Sequence, residues 1–127
     1  MIYQVKTKKS LSDVTRDLEV ATQRHKFGIM GTHDLKSKMK EKGVEFKRDC
    51  LIFEVCNPHQ AKKVLEENAE ISTALPCRIS VYSEGDEIVL ATLKPTAMLA
   101  LFENASLETV AQEVEDAIFA IMQEAAR

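Results

Sequence analysis

Two alternating apolar runs, LPCRISVY at residues 75–82 and IVLATL at residues 88–93, are separated only by SEGDE. So short a link cannot carry the crossover that parallel strands need, and the two runs are therefore expected to form an antiparallel hairpin. Gly85 supplies the turn conformation that other residues resist, and Pro76 marks the beginning of the first of these strands. A purely parallel sheet is excluded.

The rest of the chain is built around that hairpin. IYQV, from Ile2, alternates as a strand, and Leu11, Val14, Leu18, Ala21 and His25 recur at helical spacing behind a Ser10/Asp13 capping pair. Gly28 is expected to take the left-handed stop of that helix, and FGIMGTH to be a strand whose two glycines weaken it or permit close backbone approach. DLKSKMKEKG reads as a short helix ended by Gly43. In RDCLIFEVC, Leu51, Phe53 and Val55 point one way, while Cys50, Ile52, Glu54 and Cys56 point the other. Asn57 caps a helix with Pro58 at its first position, and Ala61, Val64, Leu65 and Ala69 form its buried face. TAMLALF is a short helix after Pro95, and Ser106 opens the longest one, along Leu107, Val110, Val114, Ala117, Ile118, Ile121 and Ala125. The order β-α-β-α-β-α-β-β-α-α predicts an α+β two-layer fold: a mixed or antiparallel sheet of about five strands with helices on one face. The other face would show Ile52, Cys56, Ile88 and Leu90 among Glu54, Arg78 and Tyr82. A half-apolar face of that kind usually meets a partner.

A length of 127 residues, with 45% apolar and 29% charged, suits one domain over residues 1–127. No apolar run nears the roughly 20 residues a spanning helix needs, which argues against a membrane location. Three cysteines without close pairing favour a reducing cytoplasm over a disulfide framework. Residues 1–48 carry 12 Lys and Arg against 6 Asp and Glu, whereas residues 49–127 carry 5 against 14. The basic half does not make a nucleic-acid reader. Lysines at every second position, Lys36, Lys38, Lys40 and Lys42, turn about 200° each step and circle their helix instead of forming a stripe.

Chemistry is sparse. Cys56, Cys77, His33 and His59 are of zinc-ligand type, but no pair has the two-residue spacing of a zinc knuckle, and no metal or named cofactor is expected. Cys56 precedes a helix N-terminus, where the dipole would favour thiolate, yet alternation places it on the opposite side of the sheet from Cys77. Glu54, Arg78 and Tyr82 form a polar set on one sheet face, with Glu54 and Arg78 able to pair. Glu66 and Glu67, and Glu113, Glu115 and Asp116, read as solvated helix surface. No nucleophile elbow, phosphate loop or dinucleotide fingerprint is present.

FEVCNPHQAKKVL followed by LPCRISVY, with Ile29, His33, Asp34, Leu35 and Gly43 upstream, resembles the Domain of Unknown Function 302 family over nearly the whole chain. The resemblance implies a small bacterial or archaeal, commonly self-associating α+β protein, with Glu54, Asn57, Pro58, Pro76, Cys77 and Arg78 in its motif region. It carries over no catalytic residue. The expectation is a cytoplasmic module that self-associates as a homo-oligomer or holds a small-molecule ligand, with Glu54, Cys56, Asn57, Cys77, Arg78 and Tyr82 as the ligand-binding residues. The alternative is a thiol- or metal-dependent enzyme centred on Cys56 and Cys77.

Overall fold

The computed structural model describes residues 1–127. Strand β1 (Ile2–Thr7) leads to α1 (Leu11–Arg24), β2 (Gly28–Asp34), α2 (Leu35–Glu41) and β3 (Cys50–Cys56). Helix α3 (Pro58–Glu67) and a 3-10 segment (Ala69–Ala74) precede β4 (Cys77–Glu84), and β5 (Glu87–Leu93) completes the hairpin. Helix α4 (Pro95–Ala100), a 3-10 turn (Ala105–Leu107) and α5 (Glu108–Ala126) follow. The strands lie in the order β1-β5-β4-β3-β2, and every neighbouring pair is antiparallel. Helices α1 and α5 pack on one another and on one sheet face, burying Leu18, Phe53, Ile79, Leu90, Ile118 and Ile121. A smaller cluster of Val64, Ile71, Leu99, Leu107 and Ala111 ties α3, the 3-10 segment and α4 to α5.

Several helix ends use the expected short polar side chains. Ser10 Oγ accepts from the Asp13 amide at 3.1 Å, and Asn57 Oδ1 accepts from the His59 and Gln60 amides at 3.0 and 3.2 Å. Each bond satisfies a donor that the helix itself leaves unpaired. Gly43 and Gly85 take positive φ, 78° and 61°, as their stop and turn roles require.

Some local expectations are overturned. The left-handed residue after α1 is Lys26, φ 64°, not Gly28, which opens β2. The Phe27 amide reaches back to the Thr22 carbonyl at 3.0 Å, closing the six-residue loop of a Schellman stop and delivering Phe27 to the core. Packing of Phe27 thus sets the position of the turn, although lysine bears the backbone cost. Ile88 and Leu90 face the core rather than the open face, because the Glu84–Glu87 pair closes a two-residue turn at Gly85 and Asp86, placing Leu90 opposite Val81. Val89 and Ala91 take the outer positions, opposite Tyr82 and Ser80. Helix α3 stops at Glu67, so Ala69 falls in the 3-10 segment, which Asn68 caps. Ser106 does not open α5; its amide donates to the Asn104 side chain in the preceding turn. Glu115 is buried rather than solvated, accepting from the Thr96 amide and hydroxyl at 3.3 and 2.6 Å.

Candidate functional site

The six residues singled out from the sequence separate into two places. Glu54, Arg78 and Tyr82 lie on the sheet face away from α1 and α5. Cys56, Asn57 and Cys77 line a cavity at the end of the sheet, beneath α3, α4 and α5.

On the outer face, Glu54 sits directly across from Arg78 in the β3–β4 register. The carboxylate lies 3.6 Å from the Arg78 guanidinium, and its other oxygen bonds His33 Nε2 at 3.0 Å. His33 reaches this face because β2 carries an irregularity between Ile29 and Gly31, which puts one extra residue, Met30, against β3. Such a bulge reverses side-chain parity beyond it. Ile29 therefore packs against the core, while Gly31 and His33 share the side of Glu54. A Cβ at Gly31 would stand 2.9 Å from Glu54 Oε1, the movable end of the side chain that His33 holds, so a larger residue there would displace that carboxylate. Here a glycine in the strand does permit close approach.

Tyr82 belongs to the same face but not to this cluster. It stands four residues along β4 from Arg78, about 13 Å at strand rise, and carries the Arg48 guanidinium 5.9 Å above its ring. Between them run Ile52, Ser80, Val89 and Ala91, with Leu93 and Ile2 beyond. Ile2 and Leu93 are 56% and 45% exposed, so apolar surface continues to the sheet edge. No helix that forms the main core covers this face.

In the cavity, Cys56 and Cys77 are brought together despite their alternation. Cys77 pairs with Val55, one residue from Cys56, and at Asn57 the chain leaves the strand to begin α3, so both thiols border one space. The expected objection from facing is thereby removed. The lowered pKa that a catalytic thiol would need is not found either: burial pushes the Cys56 thiol up, not down. Burial first, and then the neighbouring Cys56, hold the Cys77 thiol up at about 11 against a smaller opposing pull from Arg78. The first amides of α3, those of His59 and Gln60, donate to the Asn57 side chain. All three cysteines are free. His33 is engaged with Glu54 and His59 is exposed, and no three His, Cys, Asp or Glu side chains gather as metal ligands.

Sequence reasoning missed His33 as a partner of Glu54, since a bulge leaves no mark in the alternation pattern. It also missed Gln60, which lines the cavity with a buried Oε1 that has no partner.

Residues 3–125 match the family model described as "Domain of unknown function DUF302". Among solved structures, an uncharacterized conserved DUF302 protein from Bacillus stearothermophilus is similar at 28% identity and a TM-score of 0.93, over 99% of this chain and 98% of its own. None of the curated proteins matches the chain.

Proposed function

Because the chain belongs to the DUF302 family, whose description names no activity, we propose its role from its surfaces: a self-associating module that also binds a small ligand. The observation that carries this is the open sheet face. Ile52 and Ala91, half-buried, and Leu93 and Ile2, exposed, supply its apolar surface beside the fully buried Val89, and Glu54, Arg78 and Lys6 give it charges of both signs. Apolar centre and polar rim are the anatomy of protein interfaces. A second copy fits best, since a two-fold axis can set Glu54 of one subunit near Arg78 of the other. Five strands about 4.8 Å apart and six residues long span roughly 500 Å² in projection, which side-chain relief brings near the about 600 Å² per partner of the smaller specific interfaces.

No helix is long and apolar enough to cross a membrane. Three unbridged cysteines agree with a reducing cytoplasm as the place of work. The ligand would sit in the cavity of Cys56, Asn57 and Cys77. One observation favours the thiol-enzyme alternative, namely that both sulfurs border the same space. Their raised pKa values oppose it, because neutral thiols are poor nucleophiles.

Sedimentation velocity at tens of micromolar tests the self-association. The protein should run as a dimer or larger, and Ile52→Lys, at the centre of the face, should run as a monomer with an unchanged circular-dichroism spectrum. A monomeric wild type removes the reading.

A further inference from the structure

The open sheet face carries a groove bordered by Ile2, Ile52, Arg78, Ser80, Leu93 and Met98. Alternation brings the first five to one side: Arg78 and Ser80 are next but one along β4, Ile52 lies across from Ser80, and Ile2 pairs with Leu93. Met98 enters from α4. Ile2 and Leu93 are exposed and Ile52 is half-buried, so the groove offers apolar surface to whatever occupies it. Its volume is about 230 Å³, a little under the about 300–1,000 Å³ of drug-sized sites, which suits a ligand of about eight to ten non-hydrogen atoms.

Arg78 is the one charged residue that lines the groove. Its side chain is 58% exposed, and the Glu54 carboxylate lies 3.6 Å away, beyond hydrogen-bond reach, so the guanidinium fork has no hydrogen-bonded partner within the protein. Glu54 itself does not line the groove, and its other oxygen is engaged by His33 Nε2 at 3.0 Å. The Thr92 hydroxyl, also at the groove, already donates to the Arg78 carbonyl at 2.7 Å. What remains to recognise a ligand is a cationic fork and the Ser80 hydroxyl beside an apolar floor. A planar fork matches a carboxylate, meeting both its oxygens in parallel. One positive charge balances a monoanion, whereas a phosphate dianion would stay half-neutralised with Glu54 close behind the fork.

We infer that this groove binds a monocarboxylate with a short apolar body, of the class of short-chain fatty acids. The carboxylate meets Arg78, and the carbon chain lies along Ile52, Leu93 and Ile2. The site is separate from the cavity of Cys56 and Cys77 and goes beyond the proposed function. It shares Ile52, Arg78 and Leu93 with the surface proposed for a second copy, so ligand and copy exclude one another. A monomeric wild type would remove the copy and leave the carboxylate site standing.

Hexanoate and hexanamide, which share a carbon skeleton and differ in charge, test it. Each is titrated into the full chain carrying labelled isoleucine, leucine and methionine methyls, and methyl spectra are recorded. Saturable shifts are expected at Ile2, Ile52, Leu93 and Met98, with half-saturation at least about fivefold lower for hexanoate, the gain of a charge-assisted bond at a half-exposed arginine. In Arg78→Met, which keeps the reach of the side chain and removes the charge, the two compounds should become equivalent. Equal half-saturation in the wild type overturns the carboxylate class. Shifts that fall at other methyls, or no saturable shift with hexanoate, overturn the site. The wild-type comparison decides the matter even if the variant fails to fold.

Discussion

Cys56 and Cys77 show how far a residue's surroundings can displace its chemistry. At pH 7 a thiol with a pKa of about 11 is ionised to the order of one part in 10⁴, against a few per cent for an ordinary cysteine. Cys77 should therefore react with iodoacetamide at least 100-fold more slowly than a free thiol, with a rate still rising tenfold per pH unit between pH 8 and 10. Mass-resolved labelling of the wild type, Cys56→Ser and Cys77→Ser checks this. Rapid labelling of Cys56 or Cys77 at neutral pH would restore the catalytic thiol. The position of Cys56 before a helix is plain in the sequence. Its desolvation is not, because that comes from α4 and α5, which are distant in the chain. The Glu54–Arg78 pair was similarly accessible from register, whereas His33 depended on the bulge at Met30, which changes no local composition.

At the scale of elements, capping is the most readable part of the molecule. Asn57 holds two amides of α3, and Asn57→Ala is expected to cost about 1 kcal/mol. Urea denaturation should show a lower midpoint with an unchanged slope, and an unchanged midpoint would mean that Asn57 does not cap. Local caps are legible because donor and acceptor lie within three residues of each other. Helix α4 is the contrasting case: Lys94 offers it no side-chain cap, and Glu115 supplies one from α5. A contact spanning 19 residues leaves no short-range signal, so Glu115 reads from sequence as ordinary helix surface. The α+β layering was legible for the opposite reason, since five short strand runs and a five-residue hairpin link allow few arrangements.

At the scale of the whole molecule, the last helix is tied to the first by charge as well as by packing. Glu124 accepts from His25 Nε2 at 2.9 Å and from Arg24 at 3.0 Å, while Lys9 bridges Asp17 and the Ala125 carbonyl. The His25 hydrogen bond, with Arg24 behind it, holds the Glu124 carboxyl below its ordinary 4.5. The Lys9 ammonium does the same for Asp17. A depressed folded-state pKa stabilises above the unfolded value, and that contribution is lost as pH falls through the folded one. Stability should thus decline as pH drops below about 4.5, and Glu124→Gln should flatten part of that decline. Thermal midpoints between pH 3 and 7 measure it, and identical pH profiles for the two proteins would dismiss the tie.

The strand order also has a consequence for biosynthesis. Strand β1 pairs only with β5, so it has no partner until residues 87–93 have been made. At translation rates of 5–20 residues per second that delay is roughly 4–16 s. Throughout it, Ile2, Tyr3 and Val5 form an apolar strand with both edges open to any neighbouring nascent chain. Lys6, Lys8 and Lys9 follow immediately. Their charge opposes association with another copy, so they act as gatekeepers for a strand that waits unpaired longer than the other four.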